Sequence, residues 1–146
     1  MLYDLAIVIY DFIVHLAAPF SRKPRKMMKG HWIVYELLRQ QKEDGAKYIW
    51  FHAASLGEFE QGRPLIEKIK ERYPEYKILL TFFSPSGYEV RKNYREADIV
   101  CYLPLDKPRN VNKFLDIIQP CMAFFIKYEF WANYLLELKK RQIPTY

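Results

Sequence analysis

The sequence predicts an α/β fold: a Rossmann-like parallel sheet with flanking helices, preceded by an apolar amino-terminal helix. Three observations carry this reading. From residue 48 onward, short apolar runs of strand character alternate with stretches of helical spacing, the pattern of parallel strands joined by crossover helices. The run Ile49-Trp-Phe-His-Ala-Ala-Ser-Leu-Gly-Glu58 stops in a turn of small residues and delivers a carboxylate onto a helix start. Residues 1–20 are apolar, and a basic cluster, Arg22-Lys-Pro-Arg-Lys26 with Lys29, follows at once.

As a helix, residues 1–20 would extend about 30 Å, enough to cross a bilayer. Asp4, Asp11 and His15 interrupt the run on one helical stripe, opposite Leu2, Ala6, Ile9, Ile13 and Leu16, so lying at the interface and spanning both remain open. The basic residues follow the apolar run, which argues against a signal peptide and, for a spanning helix, puts the rest of the chain in the cytoplasm. Pro24 is expected to break this helix. A second helical pattern runs over 27–43 through Trp32, Tyr35 and Leu38, until Asp44-Gly45 ends it. The expected organisation is a membrane-anchor or interfacial helix (1–20), a basic linker and connecting helix (21–45), and one Rossmann-like domain (46–146). Strands are expected over 48–53, 77–83, 98–103 and 121–128, and helices over 58–71, near 87–93, and over 108–118 and 131–141. The final Gln142-Ile-Pro-Thr-Tyr146 reads as the opening of a further strand.

A chain of 146 residues, 51% apolar and 17% aromatic, has material for one core. Lys and Arg outnumber acids 23 to 17, and the local excess beside an apolar segment suits an anionic membrane surface. No nucleic acid is expected, because no RNA- or DNA-binding module accompanies the charge. Cys101 and Cys121 lie in apolar runs without C-x-x-C spacing and read as inert core thiols of a reducing compartment. No acidic or histidine cluster has metal-ligand spacing, so no metal is expected.

Ser55 and Glu58 fit the S-x-x-E capping box, in which the two side chains satisfy the first amides of a helix. The longer string, His52-Ala-Ala-Ser-Leu-Gly-Glu58 followed by Gly62-Arg-Pro-Leu-Ile66, resembles the amino-terminal signature of the Kdo transferases. These attach 3-deoxy-D-manno-octulosonic acid (Kdo) to lipid A precursors. Three further motifs follow in the family's order: Thr81-Phe-Phe-Ser-Pro-Ser-Gly87, Tyr102-Leu-Pro-Leu-Asp106 and Lys127-Tyr-Glu-Phe-Trp-Ala-Asn133. The last departs from the family's usual Glu-Thr-Glu-Leu-Trp-Pro, with Lys127 in place of the first glutamate and Ala132 in place of the proline.

The resemblance implies an inverting glycosyltransferase of GT-B type, with 46–146 as its amino-terminal, acceptor-binding half and the donor nucleotide mainly on a second, carboxyl-terminal domain. It implies Glu58 as the general base on the 6′-hydroxyl of the distal glucosamine and Glu129 as the transition-state stabiliser. CMP-Kdo would be a co-substrate, with no cofactor, and a lipid A precursor (lipid IVA) the acceptor. The site would lie on the cytoplasmic face of a bacterial inner membrane, in lipopolysaccharide biosynthesis. Glu129 alone also fits a solvated acid at a helix start.

The turn Ser84-Pro-Ser-Gly87 is a further acceptor-binding candidate through Ser84, Ser86 and Gly87, and turn chemistry accounts for it equally. Ser55 and Gly57 complete the substrate-binding set, with Gly57 also explained by a sharp strand-to-helix bend. His52 reads as a hydrogen-bonded core or rim residue that orients Glu58. Arg63 and Lys127 read as solvated surface cations first and partners of acceptor phosphates second, and Trp131 as core first and sugar platform second. The alternatives are a non-catalytic membrane-surface module and a GT-B glycosyltransferase for another sugar.

Overall fold

The computed structural model describes residues 2–127 and 129–146. Met1, the first residue of the expected anchor, and Tyr128, the last of the expected fourth strand, lie outside them. In chain order the elements are α1 (Leu2–Ala17), α2 (Arg22–Gln41), β1 (Tyr48–Ala53), α3 (Leu56–Arg72), β2 (Lys77–Phe82), α4 (Pro85–Arg91), β3 (Ile99–Tyr102), α5 (Pro108–Ile118), β4 (Met122–Phe125) and α6 (Ala132–Lys140). The four strands form one sheet in the order β3-β2-β1-β4, and each neighbouring pair is parallel.

Alternation along β1 builds two cores. Tyr48 and Trp50 face a layer formed by Val34 and Leu38 of α2, Val111, Phe114 and Leu115 of α5, and Tyr134 and Leu138 of α6. Ile49, Phe51 and Ala53 face Phe59 and Ile66 of α3, with Tyr88 of α4 at the margin. All six residues of β1 are buried, as expected for a central strand covered on both faces. Trp50 is the largest fully buried side chain, with rings of Phe114, Phe125 and Tyr134 at 5.1, 5.1 and 5.5 Å. Truncating it to alanine would cost about 3–5 kcal/mol.

The break between the first two helices falls at residues 18–21, not at Pro24. Pro24 lies in the first turn of α2, where a missing N–H removes no helical hydrogen bond. Arg25 secures the corner by donating to the carbonyls of Ala18 and Pro19 at 3.3 and 2.9 Å. The two helix axes diverge by 117° there, and among the described residues no single helix is long and apolar enough to cross a membrane. α2 is more than a linker, since Met27, Gly30, Val34 and Leu38 are buried.

α1 has no fully buried residue, and it presents its polar stripe to the domain. Tyr3 donates to Asp106 at 2.5 Å, Asn133 donates to Asp4 at 3.0 Å, and Lys107 donates to Asp11 at 2.5 Å. The apolar stripe is therefore turned outward: Leu5, Phe12 and Leu16 are 56, 64 and 59% exposed, and Trp32 of α2 is 79% exposed.

Two further expectations are corrected. Cys121 is exposed, whereas Cys101 is buried; β4 starts one residue later than the run suggested, so the Cys121 thiol lies outside the core and donates to the Tyr48 carbonyl at 3.2 Å. β4 also stops at Phe125, and Lys127 takes a left-handed backbone with φ of 66°. The terminal segment does begin a strand-like pairing, in which the Ala123 N–H donates to the Pro144 carbonyl at 2.9 Å and the Phe125 N–H to the Tyr146 carbonyl at 2.8 Å.

Candidate active site

The topology fixes where the site lies. The chain moves outward from β1 to β2 to β3, then returns through α5 to the other flank of β1 as β4. The loops leaving β1 and β4 diverge at this switch point, and the crevice at the carboxyl ends of such strands is where open α/β sheets bind ligands. Ser55 and Glu58 follow β1, and Lys127, Glu129 and Trp131 follow β4. The two strands stay joined up to this point, where the Ile126 N–H donates to the His52 carbonyl at 2.9 Å.

α3 begins at Leu56, two residues before the expected start, so Glu58 lies in its first turn, where the positive end of the helix dipole favours a carboxylate. Ser55 is the N-cap by position, yet its side chain bonds no helix amide; its hydroxyl donates to the Glu58 carboxylate instead. That contact is the main cause holding Glu58 below its ordinary value, with the Lys127 charge adding to it. Gly57 is not required by backbone strain: a Cβ there would meet only the Ser55 hydroxyl oxygen at 3.8 Å. The position is exposed, and space for a side chain is open there. Gly62 has the opposite role, because a Cβ would lie 2.7 Å from Ile126, so its absence lets α3 close onto the end of β4.

Glu129 is in a drier place. Burial raises it above the usual carboxylate value, and the Glu58 charge pushes the same way. The Trp131 indole N–H donates to Glu129 Oε2 at 2.8 Å and opposes the shift. Two carboxylates thus converge with their affinities for a proton pushed apart, the arrangement that divides acid–base roles between like groups.

His52 faces Glu129, not Glu58 as the sequence suggested, because alternation along β1 turns it to the α6 side. Its Nε2 lies 3.8 Å from Glu129 Oε2. The imidazole is completely buried, and burial drives its pKa down to about 3, leaving it neutral. Trp131 stands edge-on to it at 5.8 Å and packs at 4.7 Å on Phe83. Trp131 is half-buried, packing against the core on one side and standing beside Glu129 on the other. Thr81 and Phe83 belong to the Thr81–Gly87 motif but were not among the site candidates; the further signal for Thr81 is a hydroxyl inside an apolar strand, and only sheet register sets it beside His52.

The remaining candidates are distributed unevenly. Ser84 donates its N–H to the Ala54 carbonyl at 2.8 Å, which ties the turn after β2 to the Glu58 loop. Its side chain accepts from the Ser86 N–H at 3.3 Å and lies 3.1 Å from the Ser86 hydroxyl. Gly87 is buried with a Cβ position 2.2 Å from the Phe82 ring, so packing accounts for it. Arg63 pairs along its own helix with Glu60 at 3.4 Å and Glu67 at 3.8 Å, a surface role. Lys127 is exposed, but its charge is felt at Glu58. Among the described residues no three His, Cys, Asp or Glu side chains cluster as metal ligands would.

Glu58 and Glu129 thus bring two carboxylates of opposite proton affinity to the switch point of a parallel α/β sheet. Residues 28–146 match the family model described as 3-deoxy-D-manno-octulosonic-acid transferase (kdotransferase), and the chain belongs to that family of glycosyltransferases. A 3-deoxy-D-manno-octulosonic acid transferase of Haemophilus influenzae is 35% identical over 97 residues, covering 66% of this chain and 23% of that protein. One from Aquifex aeolicus is 34% identical over 96 residues, covering 65% and 26%. One from Chlamydophila psittaci is 26% identical over 143 residues, covering 95% and 33%. The chain thus spans about a quarter to a third of the length of these relatives.

Proposed function

We propose that this chain is the acceptor-binding half of an enzyme that transfers Kdo from CMP-Kdo to a lipid A precursor in lipopolysaccharide biosynthesis. The observation that carries the reading is the Glu58 and Glu129 pair at the switch point. Glu58, ionised and partly open to solvent, takes the proton of the acceptor hydroxyl as its oxygen attacks the anomeric carbon. The bond from that carbon to the CMP phosphate breaks, and CMP leaves with the electron pair. Glu129 supplies fixed negative charge beside the oxocarbenium-like centre, and because it is desolvated that charge acts with little screening.

Ser55 and the Ser84–Ser86 turn offer hydroxyls for the acceptor, and Gly57 leaves room for its close approach. The outward apolar stripe of α1, flanked by exposed Arg22, Lys23 and Lys29, supports placement on the cytoplasmic face of an inner membrane. There α1 lies in the interface, because its polar stripe is already engaged by the domain. The site then stays beside a substrate whose acyl chains remain in the bilayer.

The test is Kdo transfer by the complete protein, with CMP-Kdo and lipid IVA. Product formation is expected; transfer of another sugar, or vesicle binding without transfer, overturns the reading in favour of a different GT-B enzyme or a membrane-surface module. Calorimetric titration of the 146-residue chain with CMP checks the division of labour, with no stoichiometric binding expected. Tight binding would put the nucleotide on this half.

A further inference from the structure

We propose that His52 is a positioning residue for Glu129, with its single ring proton held on Nε2 by Thr81 and aimed at the carboxylate. The inference rests on Glu129 acting in the reaction proposed above, but its structural half stands on the hydrogen bonds alone.

Donor inventory allows two directions for the chain, and the carboxylate beside Nε2 selects between them. Trp50 Nε1, a donor only, lies 2.8 Å from Thr81 Oγ1, so the threonine oxygen accepts there. The Thr81 hydroxyl has one proton to give and two acceptors within reach: His52 Nδ1 at 2.9 Å and the Phe51 carbonyl at 3.4 Å. The closer is Nδ1. An Nδ1 that accepts carries no hydrogen, so the neutral ring keeps its proton on Nε2. That atom has no hydrogen-bond partner among the described residues, although it is buried, and the Glu129 carboxylate lies 3.8 Å from it. The opposite tautomer would turn an Nε2 lone pair toward a carboxylate, which is repulsive unless Glu129 is protonated.

The ring has little freedom to deviate. Phe125 and Trp131 stand edge-on to it at 5.7 and 5.8 Å, and a buried donor is costly to leave without a partner. Among the described residues, the charged and polar groups around Glu129 are His52 from β1, Trp131 from its own loop and Glu58 from α3, with Lys127 acting on Glu58. Of these, Trp131 favours the ionised carboxylate and Glu58 opposes it; a proton on His52 Nε2 adds to the effect of Trp131. A movement of Glu129 by about 1 Å makes the His52 contact a hydrogen bond, the tightening that catalytic contacts undergo as substrate binds.

Two measurements test this. Long-range 15N–1H correlation on the histidine-labelled chain, which has three histidines, reads the tautomer directly. His52 is expected as the Nε2–H form at pH 7, retained in Thr81→Ser and lost to a mixture in Thr81→Val; an Nδ1–H form in the unsubstituted chain overturns the proposal whatever the enzyme does. In the complete transferase, His52→Leu should lower kcat on the order of 10- to 100-fold, the worth of one hydrogen bond to a charged group. It should also move the acid limb of the kcat–pH profile to higher pH, because Glu129 loses a donor that favours its ionised form. His52→Gln, whose amide nitrogen reaches the place of Nε2, should restore most of both. Equal losses in Leu and Gln variants with an unmoved acid limb would assign His52 to packing alone.

Discussion

Tyr3, on the first turn of α1, donates its hydroxyl to the Asp106 carboxylate at 2.5 Å, across 103 positions of sequence. Asp106 is fully buried, and its two oxygens also accept the N–H groups of Asn133 and Tyr134, each at 3.1 Å. One carboxylate therefore caps α6 just past Trp131 and fastens the outer helix to the same point. Burial raises the Asp106 pKa, and these three donors oppose the rise. Tyr3→Phe is expected to lower stability by about 1–2 kcal/mol and to speed amide exchange at Asn133 and Tyr134. Urea unfolding and hydrogen exchange read the two effects, and unchanged exchange would mean that the cap holds without α1.

Glu58→Gln in the complete enzyme should reduce kcat by about 100-fold or more, because an amide accepts the Ser55 hydroxyl proton as before but takes none from substrate. Its Tm should stay near that of the unsubstituted protein. Loss of a helix cap alone would show the reverse pattern, about 1 kcal/mol of stability lost and turnover retained. Turnover near that of the parent enzyme rules out the base assignment.

Membrane binding is best tested on the outward stripe. Deleting residues 1–29 would also remove Tyr3 from Asp106 and Met27 from the core, so its outcome would mix two causes. Leu5→Gln, Phe12→Gln and Leu16→Gln together change exposed positions only. Flotation with anionic vesicles should be lost while unfolding stays within about 1 kcal/mol, the range for surface changes. Arg22→Gln with Lys23→Gln should weaken binding partially and make the remainder less salt-sensitive, since screening acts on exposed charges. Full flotation of the triple variant would move the contact elsewhere on the surface.

Acid should destabilise the fold before most carboxylates titrate. Burial lowers His31 to about 4 and His52 to about 3, from an ordinary 6.5. Above pH 6.5 neither state is protonated at these rings; between 6.5 and about 4 the unfolded chain binds protons that the folded one refuses. Their stability contribution is thus complete above 6.5 and lost as pH falls toward 4, at about 1 kcal/mol from each histidine between pH 7.5 and 5.5. Urea unfolding at those two pH values measures it. His31→Phe, filling the ring space beside Phe83 and Tyr102, should remove roughly half of the difference, and an undiminished slope would contradict the assignment.

The parallel α/β architecture was legible in the sequence because it rests on local chemistry. The spacing of apolar residues sets strand against helix, and the small-residue turn from Ala53 to Gly57 by itself places Glu58 at a helix start. The four motifs carried the family, since side-chain identities in order are themselves a one-dimensional signal. The polar stripe of Asp4, Asp11 and His15 was also visible, because a helical period is enough to align it.

What that stripe faces was decided only by tertiary structure. A period has no knowledge of which surface comes to meet it, and here Lys107 and Asn133 meet the acids, which turns Leu5, Phe12 and Leu16 outward. Sheet order and register likewise paired His52 with Thr81 and sent its ring toward Glu129 instead of Glu58. Cys121 left the core through a one-residue shift of a strand edge. Each of these outcomes is a long-range pairing, fixed by burial and hydrogen bonding among segments that share no local pattern, and it becomes determined only once the sheet has closed.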